Sequence, residues 1–174
     1  MSSRRELWML AAVGVCVACG DIDNRLALDC PDGTSVVTER HGAELERWCA
    51  RPDGIRQGGF VRSRGEHPTL TGQYEDGQKH GVWRQWNGPT LVGRYIMDHG
   101  TGVEPIWNNG LRKIEESSFV EGRREGAYTE WHGNRLYKVI GSFKDGKKSG
   151  RWFEFDPSGK LISETRYEAG EQVD

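Results

Sequence analysis

The chain has 174 residues, with 24 basic and 26 acidic side chains for a net charge of −2. That balance excludes a nucleic-acid binder driven by bulk positive charge, and a length of this order fits one domain with at most an appendage. With 24 glycines, seven tryptophans and only 35% hydrophobic residues, the composition argues against both a thick α/β core and a disordered chain, and for many tight turns in a mostly β protein.

The N-terminus reads as an export signal. Arg4 and Arg5 form a basic start, and Leu7 to Val17 is an uncharged, mostly apolar run. Eleven residues fall short of the ~20 needed to span a bilayer as a helix, but they suit the central region of a signal peptide. Ser3-Arg4-Arg5-Glu6-Leu7 also resembles a twin-arginine signal, although a generic basic start accounts for it. The run ends in Cys16-Val17-Ala18-Cys19-Gly20. Small residues before a cysteine resemble the lipobox of bacterial lipoproteins, in which Cys19 would receive lipid and become the mature N-terminus. The expected organisation is a signal peptide over 1–18 and an anchor linker over 19–29. In a cell with two membranes, Gly20 carries no obvious inner-membrane retention signal, so the expected address is the outer membrane facing the periplasm.

Cys30 and Cys49 remain. In an oxidising compartment a structural disulfide is the default pairing, and closing a loop of about 20 residues stabilises by roughly 3 kcal/mol in the chain-entropy view. Zinc is disfavoured, since these two cysteines, 19 positions apart, form no Cys-x-x-Cys and zinc usually takes four protein ligands. Val36-Val37-Thr38 suits a short strand, while Ala43 to Trp48 suits a strand or a helical turn. Residues 30–58 are expected to form a disulfide-closed cap holding a degenerate first repeat, marked by Pro52-Asp53-Gly54, Gly58 and Phe60.

From 59 to 174 the chain repeats. Tyr74, Tyr95, Phe119, Phe143 and Tyr167 are spaced 21, 24, 24 and 24 apart. Gly77, Gly122, Gly146 and Gly170 stand three positions after their anchors, with Asp98 as the departure. Seven positions after the anchors come Gly81, Gly102, Gly126 and Gly150. Nine after come Trp83, Glu104, Tyr128 and Trp152; twelve after come Trp86, Trp107, Trp131 and Phe155. Asp76-Gly77, Glu121-Gly122 and Asp145-Gly146 are turn chemistry, because glycine accepts a positive φ at no steric cost. Asn87-Gly88, Asn109-Gly110 and Ser158-Gly159 mark a second turn per unit, whose varying length accounts for the unit of 21. Two turns and two aromatic-rich segments make each unit a β-hairpin. One hairpin is marginal alone, so the units must stack into one elongated antiparallel sheet.

This pattern, Gly-x-x-x-Gly-x-Trp-x-x-Trp, then Asn-Gly or Ser-Gly, then Gly-x-Tyr-x-x-Gly, resembles MORN repeats, most closely the bacterial MORN-repeat variant labelled YwqK-family antitoxin. The resemblance spans about residues 50 to 174 and implies an all-β, non-catalytic scaffold or binding module.

The candidate stripe is Trp83, Trp86, Trp107, Tyr128, Trp131, Trp152 and Phe155. It reads first as a packing ladder, with the +12 series set between repeats. Residues three apart on a strand point to opposite faces, so one series is free to line a groove suited to sugar rings or apolar side chains. Lys79, Arg123, Arg124, Lys147 and Lys148 recur at one turn and suit either an anionic partner or a solvated edge. His80, His99 and His132 occupy different phases, so no histidine cluster and no metal are expected. No GxSxG, HExxH, P-loop or GxGxxG occurs. The expectation is an envelope lipoprotein that binds a protein partner or other envelope component without a cofactor, with a glycan-binding module or a ligand-free spacer as alternatives. Replacing Cys19 by Ser should release the protein from membranes. A Cys19→Ser variant that still sediments with membranes would place the anchor elsewhere.

Overall fold

A computed structural model describes residues 26–173; the segment 1–18 and Cys19 lie outside them. The fold is all-β: thirteen antiparallel strands form one open sheet in which spatial order equals chain order. The strands are β1 (Ser35–His41), β2 (Glu44–Ala50), β3 (Arg56–Arg64), β4 (His67–Glu75), β5 (Gln78–Asn87), β6 (Thr90–Asp98), β7 (Thr101–Trp107), β8 (Lys113–Val120), β9 (Arg123–Trp131), β10 (Tyr137–Lys144), β11 (Lys147–Phe155), β12 (Leu161–Glu168) and β13 (Glu171–Val173).

Cys30 and Cys49 form a disulfide. It ties the leading segment to β2, and Leu28 and Pro31 lie across the glycine pair of β3. A Cβ at Gly58 would stand 2.5 Å from Pro31, and one at Gly59 2.9 Å from Leu28. The expected cap is thus no separate unit. Trp48 pairs directly with Phe60, so a boundary between 58 and 59 would cut through β3. Ala43 to Trp48, open between helix and strand in the sequence, joins the sheet as most of β2.

One edge of the sheet is built from two-residue turns. Asp76, His99, Glu121, Asp145 and Ala169 all have φ between 45° and 52°, and each precedes a positive-φ glycine: Gly77, Gly100, Gly122, Gly146 and Gly170. Two consecutive left-handed residues match the twist of a hairpin. Each turn is also stapled to the one before it. The N–H of Gly77 donates to the Arg56 carbonyl (3.0 Å), Gly100 to Lys79 (2.8 Å), Gly122 to Gly100 (3.0 Å), Gly146 to Arg124 (2.9 Å) and Gly170 to Lys148 (3.0 Å). Gly100 has no room for a side chain, since a Cβ there would lie 2.4 Å from the Gly122 nitrogen.

The opposite edge carries the second loops. Between β5 and β6, Asn87 pairs with Thr90, leaving only two residues to turn. The later loops join Trp107 to Lys113, Trp131 to Tyr137 and Phe155 to Leu161, five residues each. The three-residue difference is the shortfall of 21 against 24.

Packing on one face follows a fixed arrangement. Trp83 lies over Gly72 and Trp152 over Gly141, so closely that a Cβ on either glycine would fall within 2.3 Å of the indole. Trp83 is surrounded by Phe60, Tyr74 and Tyr95 at ring separations of 5.4, 5.2 and 6.3 Å. Trp152 is likewise held among Tyr128, Phe143 and Tyr167. The second residue after Gly54, Gly77, Gly122 and Gly146 sends a cation over these rings: Arg56 over Trp48 (4.2 Å), Lys79 over Trp83 (4.6 Å), Arg124 over Phe143 (5.1 Å) and Lys148 over Trp152 (4.3 Å). The inner packing series is therefore the one nine residues after the anchors, rather than the one at twelve.

Replacing Trp83, which is fully buried, by Ala should cost about 3–5 kcal/mol. The half-buried Trp131, whose ring lies 6.3 Å from that of Tyr137, should cost less, about 1–2 kcal/mol. Denaturant unfolding of both variants tests the ranking, and an equal or inverted loss would contradict this packing assignment.

Candidate functional site

The repeat slips once. In four hairpins a single residue of the first strand faces three of the second: Cys49 faces 57–59, Gly72 faces 81–83, Ser118 faces 125–127, and Gly141 faces 150–152. β6 and β7 lack this bulge. Their turn comes at His99-Gly100, two residues beyond Asp98, and their ladder stops after Met97↔Gly102 and Asp98↔Thr101. Beyond those pairs a side chain stands in for the backbone. Gln85, which pairs with Gly93 in β6, donates from Nε2 to the Trp107 carbonyl (2.6 Å) and accepts from the Trp107 N–H at Oε1 (3.2 Å).

The slip reassigns two residues of the aromatic stripe. Trp107 lies over Gly93, where a Cβ would fall 2.3 Å from the indole. It thus takes the role that Trp83 and Trp152 play, and leaves the twelfth-position series in which the sequence set it. Glu104, at the ninth position, faces Ser117 as Tyr128 does from the other side, and it brings a carboxylate onto an aromatic face. Its Oε1 accepts from Lys79 Nζ (2.6 Å) and from the Tyr95 hydroxyl (3.0 Å), and Lys79 Nζ also donates to the Tyr95 oxygen (3.3 Å). Both partners of the Lys79–Glu104 ion pair are about one-fifth exposed. Burial, reinforced by the neighbouring Glu104 charge, pushes the Tyr95 hydroxyl far above its ordinary range. Burial also pushes Tyr128 up to about 12.

Beside this cluster lies a groove of about 560 Å³. Arg62, Arg64 and His67 form one wall, Pro105 and Ile106 the other, and Leu70 contributes to the lining between them. Of the remaining stripe, Trp86 also lines the groove, and its Nε1 donates to Thr71 Oγ1 (3.0 Å). Trp131 and Phe155 are half-buried. Within the basic ladder, Lys79, Arg124 and Lys148 cover aromatic rings, while Arg123 and Lys147 are exposed.

The expectation that the histidines stand apart is corrected. His80 and His99 meet with ring centroids 4.4 Å apart. Their phases differ by two, and the two-residue displacement of the β6–β7 turn closes that difference. One donor atom from each of Glu75, His80 and His99 lies within 4.8 Å of the other two. His132 belongs to the opposite edge, where its Nε2 is 2.8 Å from the Phe155 carbonyl oxygen.

Comparison with protein-family models and with curated proteins finds no match.

The raised tyrosines make stability sensitive to alkali. A folded-state pKa above the unfolded value gives stability that is complete below about pH 10 and declines as pH climbs from there toward the folded value. Unfolding free energy measured across pH 8 to 12 should therefore decline beyond about pH 10, and Tyr95→Phe should decline less steeply. Identical slopes for the two proteins would refute the assignment to Tyr95.

Proposed function

We propose that the protein is a non-catalytic binding scaffold of the MORN-repeat-variant type, exported and tethered through lipid on Cys19, that holds a protein partner in the groove beside β7. The observation that carries this reading is the slip itself. Four hairpins follow one packing rule, and the one that departs from it borders the groove of about 560 Å³. The chemistry there suits a polypeptide. Arg62 and Arg64, which bond Glu46 (2.8 Å) and Glu44 (3.1 Å), keep further guanidinium N–H groups for a partner's carboxylates, and Leu70 and Ile106 add apolar contacts. β6 and β7 also expose Leu91, Ile96, Val103 and Ile106, the type of surface that marks protein contact when apolar groups gather.

A sugar ligand is the second reading, favoured by Trp86 in the groove lining with Asn87 and Asn109. A photo-crosslinking residue at His67, on the groove wall, should give a discrete protein adduct in envelope preparations. The same residue at Ile162, exposed on β12, should give none, and Arg64→Glu should weaken the adduct at His67. Adducts from both positions, or from neither, would overturn the protein-partner reading.

A further inference from the structure

We propose that Glu75, His80 and His99 form a binding site for a divalent transition metal of the zinc class, with Asp98 as its outer carboxylate. The site stands on the turn edge, apart from the groove, and does not depend on the reading above.

The geometry begins with Glu75. Its Oε2 lies 3.4 Å from His80 Nε2 and 3.5 Å from His99 Nε2. Zinc binds imidazole nitrogen and carboxylate oxygen at about 2.0–2.2 Å in a tetrahedron, whose edges are then about 3.3–3.6 Å long. Two edges of such a tetrahedron are thus already at length, and only the separation between the two imidazole nitrogens has to settle.

The far nitrogens complete the arrangement. Asp98 Oδ1 is 2.7 Å from His99 Nδ1 and 3.6 Å from His80 Nδ1. A carboxylate at Nδ1 holds the proton there and turns the Nε2 lone pair inward, as outer carboxylates do behind metal-bound histidines. His80 Nδ1 also meets the His99 N–H at 3.4 Å; coordination through Nε2 puts a proton on Nδ1 and favours the Asp98 contact. Without a cation, His80 accepts the His99 N–H at Nδ1 and carries its proton on Nε2, toward Glu75. A metal ion displaces that proton and takes the Nε2 lone pair, as metal binding to imidazole requires. The ligands are from about one-third to one-half exposed, so a water can take the fourth position.

The backbone frame is preset. His99 occupies the left-handed position of its turn, and the adjacent Gly100 N–H is fixed to the Lys79 carbonyl. The equivalent turn positions are Asp76, Glu121, Asp145 and Ala169, so only the displaced turn puts an imidazole beside the neighbouring strand.

The test uses the full chain with Cys16→Ser and Cys19→Ser, which removes the thiols outside the disulfide. Calorimetric titration with Zn²⁺ should show one saturable site. Co²⁺ should give the visible absorption of a tetrahedral centre, displaced by Zn²⁺. His80→Ala and His99→Ala should each weaken Zn²⁺ binding by more than about tenfold, and Asp98→Asn by roughly tenfold. His41→Ala, which alters an exposed histidine beside Glu39, should bind as the parent does. Melting curves establish that each variant is folded. An absence of saturable Zn²⁺ binding to the parent, or parental affinity in the folded His80 and His99 variants, would overturn the proposal.

Discussion

The structure depends on the hydrogen bond that each turn glycine donates to the preceding hairpin. A β-hairpin alone satisfies its own ladder and little more. Here the Gly77, Gly100, Gly122, Gly146 and Gly170 N–H groups point along the sheet edge to the carbonyl of the hairpin before. That geometry needs two consecutive left-handed residues, which fixes glycine at the second position. It also sets the spacing at which each cation reaches its ring. Arg56, Lys79, Arg124 and Lys148 each supply both the accepting carbonyl and the side chain over the aromatics, while at the slip Gly100 accepts from Gly122 with no side chain to add. Edge and face are therefore coupled through the same residues.

This coupling explains why one small displacement has several consequences. Moving the turn from Asp98 to His99-Gly100 removes the bulge and shortens the ladder to two pairs. Gly122 then bonds to the Gly100 carbonyl itself, and the residue two beyond the turn, Gly102, has no cation to offer. Trp107 takes over the glycine platform, Glu104 comes within reach of Lys79 and Tyr95, and His99 comes to lie against His80. The departure from the repeat and the concentration of polar chemistry are one event.

How much of this was legible in the sequence follows from the range of the forces. Asp76-Gly77, Glu121-Gly122 and Asp145-Gly146 announce their turns because the constraint is local to two backbones, and the hairpin architecture follows. The three-residue shortfall at Asn87-Gly88 was legible as loop length. The turn at His99-Gly100 was hidden by Asp98, which carries the stronger local turn signal but ends β6 instead. The Lys79–Glu104 pair joins residues 25 apart, and Gln85 reaches Trp107 across 22; neither follows from the period, since both arise where it fails. The exchange of Trp107 for a ninth-position aromatic was unreadable for the same reason.

The plain order of the sheet has a mechanical meaning. Each strand pairs only with the strands next to it in the chain, so every ladder closes a short loop and contact order is low, which favours rapid folding. The same topology decides how the molecule responds to load. Tension between the two ends opens the ladders in series, like a zipper, one row of hydrogen bonds at a time. The polypeptide would lengthen in steps of a hairpin, and the Cys30–Cys49 link would shield the residues it encloses from the pull. Such a sheet behaves as an extensible strap that re-forms from whichever hairpins stay closed.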